Sequence, residues 1–217
     1  MENLDNEQQG PSAKEAYSQK KEKRDSQKEK DQQSRERKNS FKRAWLIIIG
    51  LFVLGALGYG IYFIVKDSQP VGPDVSRAIP IMSSRNHVPV RSRLPEYTSN
   101  PPTSGPHYGQ TARAGFRGDD DIVDQNIIHS LEHGDVWISY NPRVSEDIVK
   151  QLQKFGAAKV IVTEREANDA DIAVAAWARL DTFNIENNVL PKDRINDFIK
   201  RHLNNGPERI TTPTGGI

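Results

Sequence analysis

Residues 44–65 run for 22 positions without a single charged side chain, AWLIIIGLFVLGALGYGIYFIV. A helix of that length rises about 1.5 Å per residue and spans roughly 33 Å, enough for the hydrocarbon core of a bilayer. Trp45 stands at one boundary and Tyr59 and Tyr62 towards the other, where interfacial aromatics collect. Four glycines and apolar residues on every face disfavour a buried soluble helix in a chain with so little remaining core. Arg35, Arg37, Lys38, Lys42 and Arg43 precede the run, whereas Lys66 is followed directly by Asp67. The positive-inside rule then predicts a single-pass protein of the cell membrane with its N-terminus cytoplasmic and its C-terminal part extracytoplasmic. The long preceding tail and the missing small-x-small cleavage site favour an uncleaved signal anchor.

The anchor divides the chain. Residues 1–43 are dense in Lys, Glu, Gln, Asp and Ser, with too few apolar side chains to offset ordering entropy. They read as a disordered cytoplasmic tail with transient helix over 13–37. Acidic residues break up its basic run and no aromatics are interleaved, so nucleic acid is not expected as a partner. Residues 66–80 hold Pro70, Gly72, Pro73 and Pro80 and read as a linker, leaving 81–210 as the exported domain. The absence of cysteine excludes disulfides, thiolate metal sites and cysteine nucleophiles.

Within that domain, 88–118 lacks any sustained period and is expected to be ordered loop with at most one short strand. Val136 to Tyr140 is strand-like and closed by Asn141-Pro142. Ser145 suits a helix N-cap, Ile148, Val149, Leu152 and Phe155 make one helical face, and Gly156 stops it. Strands are predicted over 159–164 and 171–180. A final helix starts at Pro191, with Ile195, Phe198, Ile199 and Leu203 as its stripe and Gly206-Pro207 beyond it. The order strand, helix, strand, strand, helix predicts an α+β domain, a small mixed sheet with packed helices. Trp137 and Trp177 fall within strands and read as core.

Four of the five histidines lie between positions 87 and 133. His129 and His133, four apart in His-Ser-Leu-Glu-His-Gly, would share a face on a helix. His107 sits in Asn-Pro-Pro-Thr-Ser-Gly-Pro-His-Tyr (100–108), stiffened by three prolines. Neutral imidazole suits zinc and copper. The candidate metal ligands are therefore His107, His129 and His133, joined by His87 and by Glu132 as fourth ligand or orienter. Two alternatives compete with a metal-binding domain. The pattern His-x-x-Glu-His is that of inverted zinc proteases, which would make Glu132 the general base of a small metallohydrolase. Structural histidines would instead leave an envelope protein–protein interaction module whose partner the sequence does not name. Asp119-Asp-Asp121 with Asp124 lacks the spacing of a calcium loop and reads as a solvated acidic turn.

The motifs at 100–108, His-x-Leu-Glu-His-Gly at 129–134 and Ile-Ala-Val-Ala-Ala-Trp-Ala-Arg at 172–179 resemble, in that order, those of the domain-of-unknown-function family 3105 (DUF3105). The similarity extends over roughly 80–210, and Phe198-Ile-Lys-Arg followed by Pro207-Glu208 fits the family's C-terminal end. The resemblance implies a bacterial or archaeal protein, commonly with one N-terminal membrane span, and no established activity. Where the family often has Trp-Gly-Arg, this chain has Trp177-Ala178-Arg179, and where some members carry a cysteine shortly after, it has Thr182-Phe183-Asn184.

Overall fold

A computed structural model describes residues 13–118 and 122–208. The acidic turn at Asp119 to Asp121, the first twelve residues of the tail and the last two of the 81–210 domain lie outside the described residues. The chain divides into two units between Ile64 and Val65.

The described residues of the first unit are helix. α1 (Ala13–Ser68) takes in the whole uncharged run and is, among the described residues, the one helix long and apolar enough to cross a membrane. Its large apolar side chains from Trp45 to Val65 are exposed, as they would be in a helix whose solvent is lipid. Residues 13–43, expected as a disordered tail, continue the same helix here; Lys, Glu, Gln and Ala favour that conformation even where nothing is buried.

The second unit is a six-stranded mixed sheet. Its elements are β1 (Arg77–Ala78), β2 (Gly115–Arg117), α2 (Asp124–Glu132), β3 (Val136–Tyr140), α3 (Glu146–Leu152), β4 (Val160–Glu164), β5 (Ile172–Ala176), β6 (Arg179–Phe183) and α4 (Lys192–His202). The strand order is β1-β6-β5-β3-β4-β2. β3 and β4 pair in parallel through the α3 crossover, β2 runs parallel to β4, and the remaining pairs are antiparallel. The α+β class is as predicted.

Helices cover both faces of the sheet, and this decides where the site sits. Val136, Ile138 and Tyr140 of β3 join Val162, Ile172 and Val174 beneath Ile148 and Leu152 of α3 and Ile195 and Phe198 of α4. On the opposite face Trp137, Ile161, Ala173, Ala175 and Leu180 pack under Ile127, Ile128 and Leu131 of α2. Strands buried on both faces read as continuous apolar runs, which is why β3 and β5 are buried at every position. The alanines of β5 keep the α2 face thin. α2, absent from the predicted element order, is thus the layer that closes the second core.

One strand expectation is corrected. Residues 171–180 form not one strand but the first arm and turn of a hairpin, with Ala176 paired to Arg179 and Trp177-Ala178 between them. Ala178 adopts φ 59°, a conformation in which glycine or asparagine is the usual resident. No glycine, proline or asparagine marks the turn, so its sequence signal is missing; the family's glycine falls at this position. Ala178 is held by hydrogen bonds from its N–H to Thr103 O (3.3 Å) and from Ile79 N–H to its carbonyl (2.9 Å).

Candidate metal centre

α2 and the proline-rich loop before it are stitched together residue by residue. Arg165 donates to the Asp124 carboxylate at the start of α2 (2.8 Å) and to Asn100 Oδ1 (2.6 Å), while Asn100 Nδ2 donates to Ala167 O (2.7 Å). This fixes the near end of the 100–108 loop against the β4–β5 connection. Asn126 Nδ2 donates to Gln110 O (2.9 Å), and Ser130 Oγ accepts from Ala112 N–H (3.0 Å), which fixes the far end along α2. Gly105 occupies φ 125°, and a Cβ there would lie 2.6 Å from Met82 Sδ and 2.8 Å from Tyr97 Cε1, so the turn into His107 needs glycine. Tyr97 Oη donates to Pro106 O (2.7 Å), and a single parallel bridge pairs His87 with His107.

The result is a cluster. One ligand atom each from His87, His107, His129 and Glu132 lies within 4.8 Å of all the others. Tetrahedral bonds of 2.0–2.1 Å put neighbouring donors about 3.3 Å apart, so closing on an ion requires each donor to move inward by less than about 1 Å. His107, His129 and Glu132 are buried and His87 is exposed, which leaves the cluster open on the His87 side.

Two of the imidazoles are already oriented. His107 Nδ1 lies 2.8 Å from Gly105 O and His129 Nδ1 lies 3.0 Å from Tyr108 O. A carbonyl only accepts, so in both rings Nδ1 carries the proton and Nε2 presents its lone pair, the arrangement that orients histidine ligands in metal sites. His107 Nε2 is fully buried, has no hydrogen-bond partner, and stands 3.1 Å from Glu132 Oε2. If charged, that contact would be a salt bridge. Burial works against it on both sides, pushing the His107 pKa down and the Glu132 carboxyl up, the latter with help from the Glu208 charge. His129 is pushed down to about 4, by burial first and then by His133, His107 and His87. A neutral imidazole lone pair facing a carboxylate oxygen repels it unless a proton or a metal ion lies between, and a divalent ion would satisfy both donors at once.

His133 lies at the edge of the cluster. α2 ends at Glu132 with His133 as its C-cap, and the His133 N–H still donates to His129 O at 3.2 Å, so the two rings stay neighbours at the four-residue spacing. His133 Nε2 meets Glu208 Oε2 at 3.2 Å, and its ring centroid lies 4.5 Å from that of His129. The structure thus gathers His87, His107, His129 and Glu132, with His133 beside the group. Glu208 is the participant that sequence reasoning missed; it lies 75 residues beyond His133 and only the Pro207-Glu208 pair pointed to that region. The fifth histidine, His202, contacts Ser76 Oγ (3.1 Å) and the Asp74 carboxylate (3.6 Å) and belongs to α4 packing.

The depressed pKa of His129 predicts a pH dependence. The unfolded chain takes up a proton near the ordinary value of 6.5 and the folded chain only near 4, so the metal-free protein loses stability as pH falls across that window. His107 and His202, also depressed, act in the same direction. Glu132, raised, acts oppositely, its cost growing as pH rises above the ordinary 4.5. Chelator-treated protein should melt at lower temperature at pH 5 than at pH 7, and His129→Gln should flatten that slope; a flat wild-type profile would contradict the assignment.

Fold and site together define a class: an α+β domain holding a three-histidine, one-carboxylate donor cluster between a proline-stiffened loop and a sheet-covering helix. The chain belongs to the family described as Protein of unknown function (DUF3105), whose model matches residues 87–215. That match contains all four donors. No curated protein and no solved structure matches the chain.

Proposed function

We propose that this chain is a single-pass membrane protein whose extracytoplasmic domain binds a transition metal, zinc or copper, through His107, His129, His87 and Glu132, with His133 next to the ligand set. The observation that carries it is the buried, unpartnered His107 Nε2 facing Glu132 at 3.1 Å, beside a His129 ring oriented the same way. A set of three imidazoles and one carboxylate suits zinc and copper better than magnesium or calcium, which prefer oxygen. The exposed edge at His87 leaves room for water or a small ligand on the ion.

The hydrolase alternative draws less support. In the inverted zinc-protease pattern both histidines ligate and the glutamate stands off as base. Here Glu132 is among the donors and His133 faces Glu208. The basic residues Arg35 to Arg43 ahead of the uncharged run support the orientation with the N-terminus inside.

Full-length protein purified in detergent, stripped with chelator and titrated with zinc and with copper, tests the binding. One equivalent bound with sub-micromolar affinity is expected, and failure of both ions to bind would leave the interaction-module alternative. Protease added to intact cells should digest the C-terminal domain; its survival would reverse the proposed orientation.

A further inference from the structure

Beyond α4 the chain returns to the C-terminal end of α2 and lies on the backbone that carries Glu132 and His133. Asn204, at φ 63°, turns the chain, and its N–H donates to Gly134 O at 2.7 Å. Four residues on, Glu208 N–H donates to Glu132 O at 3.0 Å. Between those bonds Gly206 is pressed against the helix end: a Cβ there would lie 2.1 Å from Glu132 O and 2.4 Å from Gly134 N. Gly134, at φ 86°, reciprocates, its Cβ position lying 2.8 Å from Asn204 Cα. Lys159 Nζ ties both strands of the contact, donating to His133 O (2.9 Å) and Asn204 Oδ1 (2.8 Å). The side chain closing this segment is Glu208, whose carboxylate meets His133 and whose charge acts on both His107 and Glu132.

We propose that residues 204–208 form a detachable wall of the metal site, with Glu208 as its outer carboxylate, so that metal occupancy and docking of this segment favour one another. The inference rests on the metal-binding reading above. In the empty site the charge of Glu208 acts against that of Glu132, and this repulsion works against the docked segment. A divalent cation between the donors attracts both carboxylates and removes that penalty. Coupling of this kind is reciprocal: whatever loosens the segment weakens the metal by the same factor. Glu208 is a positioning residue here, acting through His133 and through its charge.

The test uses the full-length protein in detergent with zinc chloride as the probe. Amide hydrogen exchange at Asn204 and Glu208 is expected to slow by about tenfold or more on zinc addition, within the usual range of coupling between sites. Glu208→Gln, which adds no heavy atom, should weaken zinc binding by about tenfold and reduce that slowing, as loss of an outer carboxylate does elsewhere. Gly206→Ala should weaken zinc by about 10–100-fold with the circular dichroism of the domain retained. If Gly206→Ala fails to fold, Glu208→Gln alone decides. Wild-type protein that binds zinc with unchanged exchange at 204–208, and a Glu208→Gln variant that binds equally tightly, would overturn the coupling and leave the metal site standing. A wild type that binds no zinc would overturn both.

Discussion

His129→Ala is expected to lower zinc affinity by at least roughly 100-fold, more than the 10–100-fold typical of losing a group that only orients a ligand. His129 lies centrally in the cluster, its ring centroid 4.5 Å from that of His87 and 4.9 Å from that of His107. Its removal leaves two imidazoles and one carboxylate facing a cavity. His107→Ala should act similarly, because Glu132 then loses the donor 3.1 Å away. The same substitutions should leave the metal-free domain folded, and relieving the burial of an imidazole lone pair beside a carboxylate should keep any loss of stability small. The decisive comparison is therefore affinity against melting temperature, each measured with and without chelator. Loss of metal binding together with loss of the metal-free fold would assign these histidines a structural role instead.

The second large effect concerns the layer beneath the site. Trp137→Ala should destabilise the domain by about 3–5 kcal/mol, the usual cost of emptying a buried aromatic position. Trp137 is 1% exposed, donates from Nε1 to Thr163 Oγ1 at 2.8 Å, and lies with the Arg165 guanidinium carbon 5.7 Å from its ring centre. It belongs to the same cluster as Ile127, Ile128 and Leu131, so the void would open directly under α2. Because Arg165 also holds Asn100 and Asp124, metal affinity should fall along with stability. Urea unfolding followed by far-ultraviolet circular dichroism measures the first effect, and a change below about 1 kcal/mol would show that the α2 face is not a packed core.

Much of this architecture was legible because it follows from local rules. The run over 44–65 is legible from its length without charge, the α3 and α4 stripes carry clear helical periods, and β3 and β4 carry short apolar runs bounded by turn residues. The hairpin was not legible, since its turn is built on Ala178 where glycine would have announced it. Within the site, His107, His129 and Glu132 came from motifs. His87 had no local pattern to recommend it, and its bridge to His107 is a long-range pairing. The four-residue spacing does put the His133 ring beside that of His129, but the partner of its Nε2, Glu208, has no signal in that spacing. Glu208 was hidden for the same reason as His87, because only the completed fold brings residues 204–208 back to α2.

The donors come from three separate stretches of chain, at 87, 107 and 129–132, each pair separated by about twenty residues or more. An ion seated among them would therefore be a cross-link as well as a ligand. It would close two loops that the unfolded chain otherwise leaves free, which is the office a disulfide performs in many exported domains. This chain has no cysteine with which to make one. At free metal a hundredfold above the dissociation constant the gain would be about 2.7 kcal/mol, comparable to one disulfide. Unlike a disulfide, such a tie needs no oxidant to form and yields to any stronger chelator, so the rigidity of the domain would follow the metal supply around it.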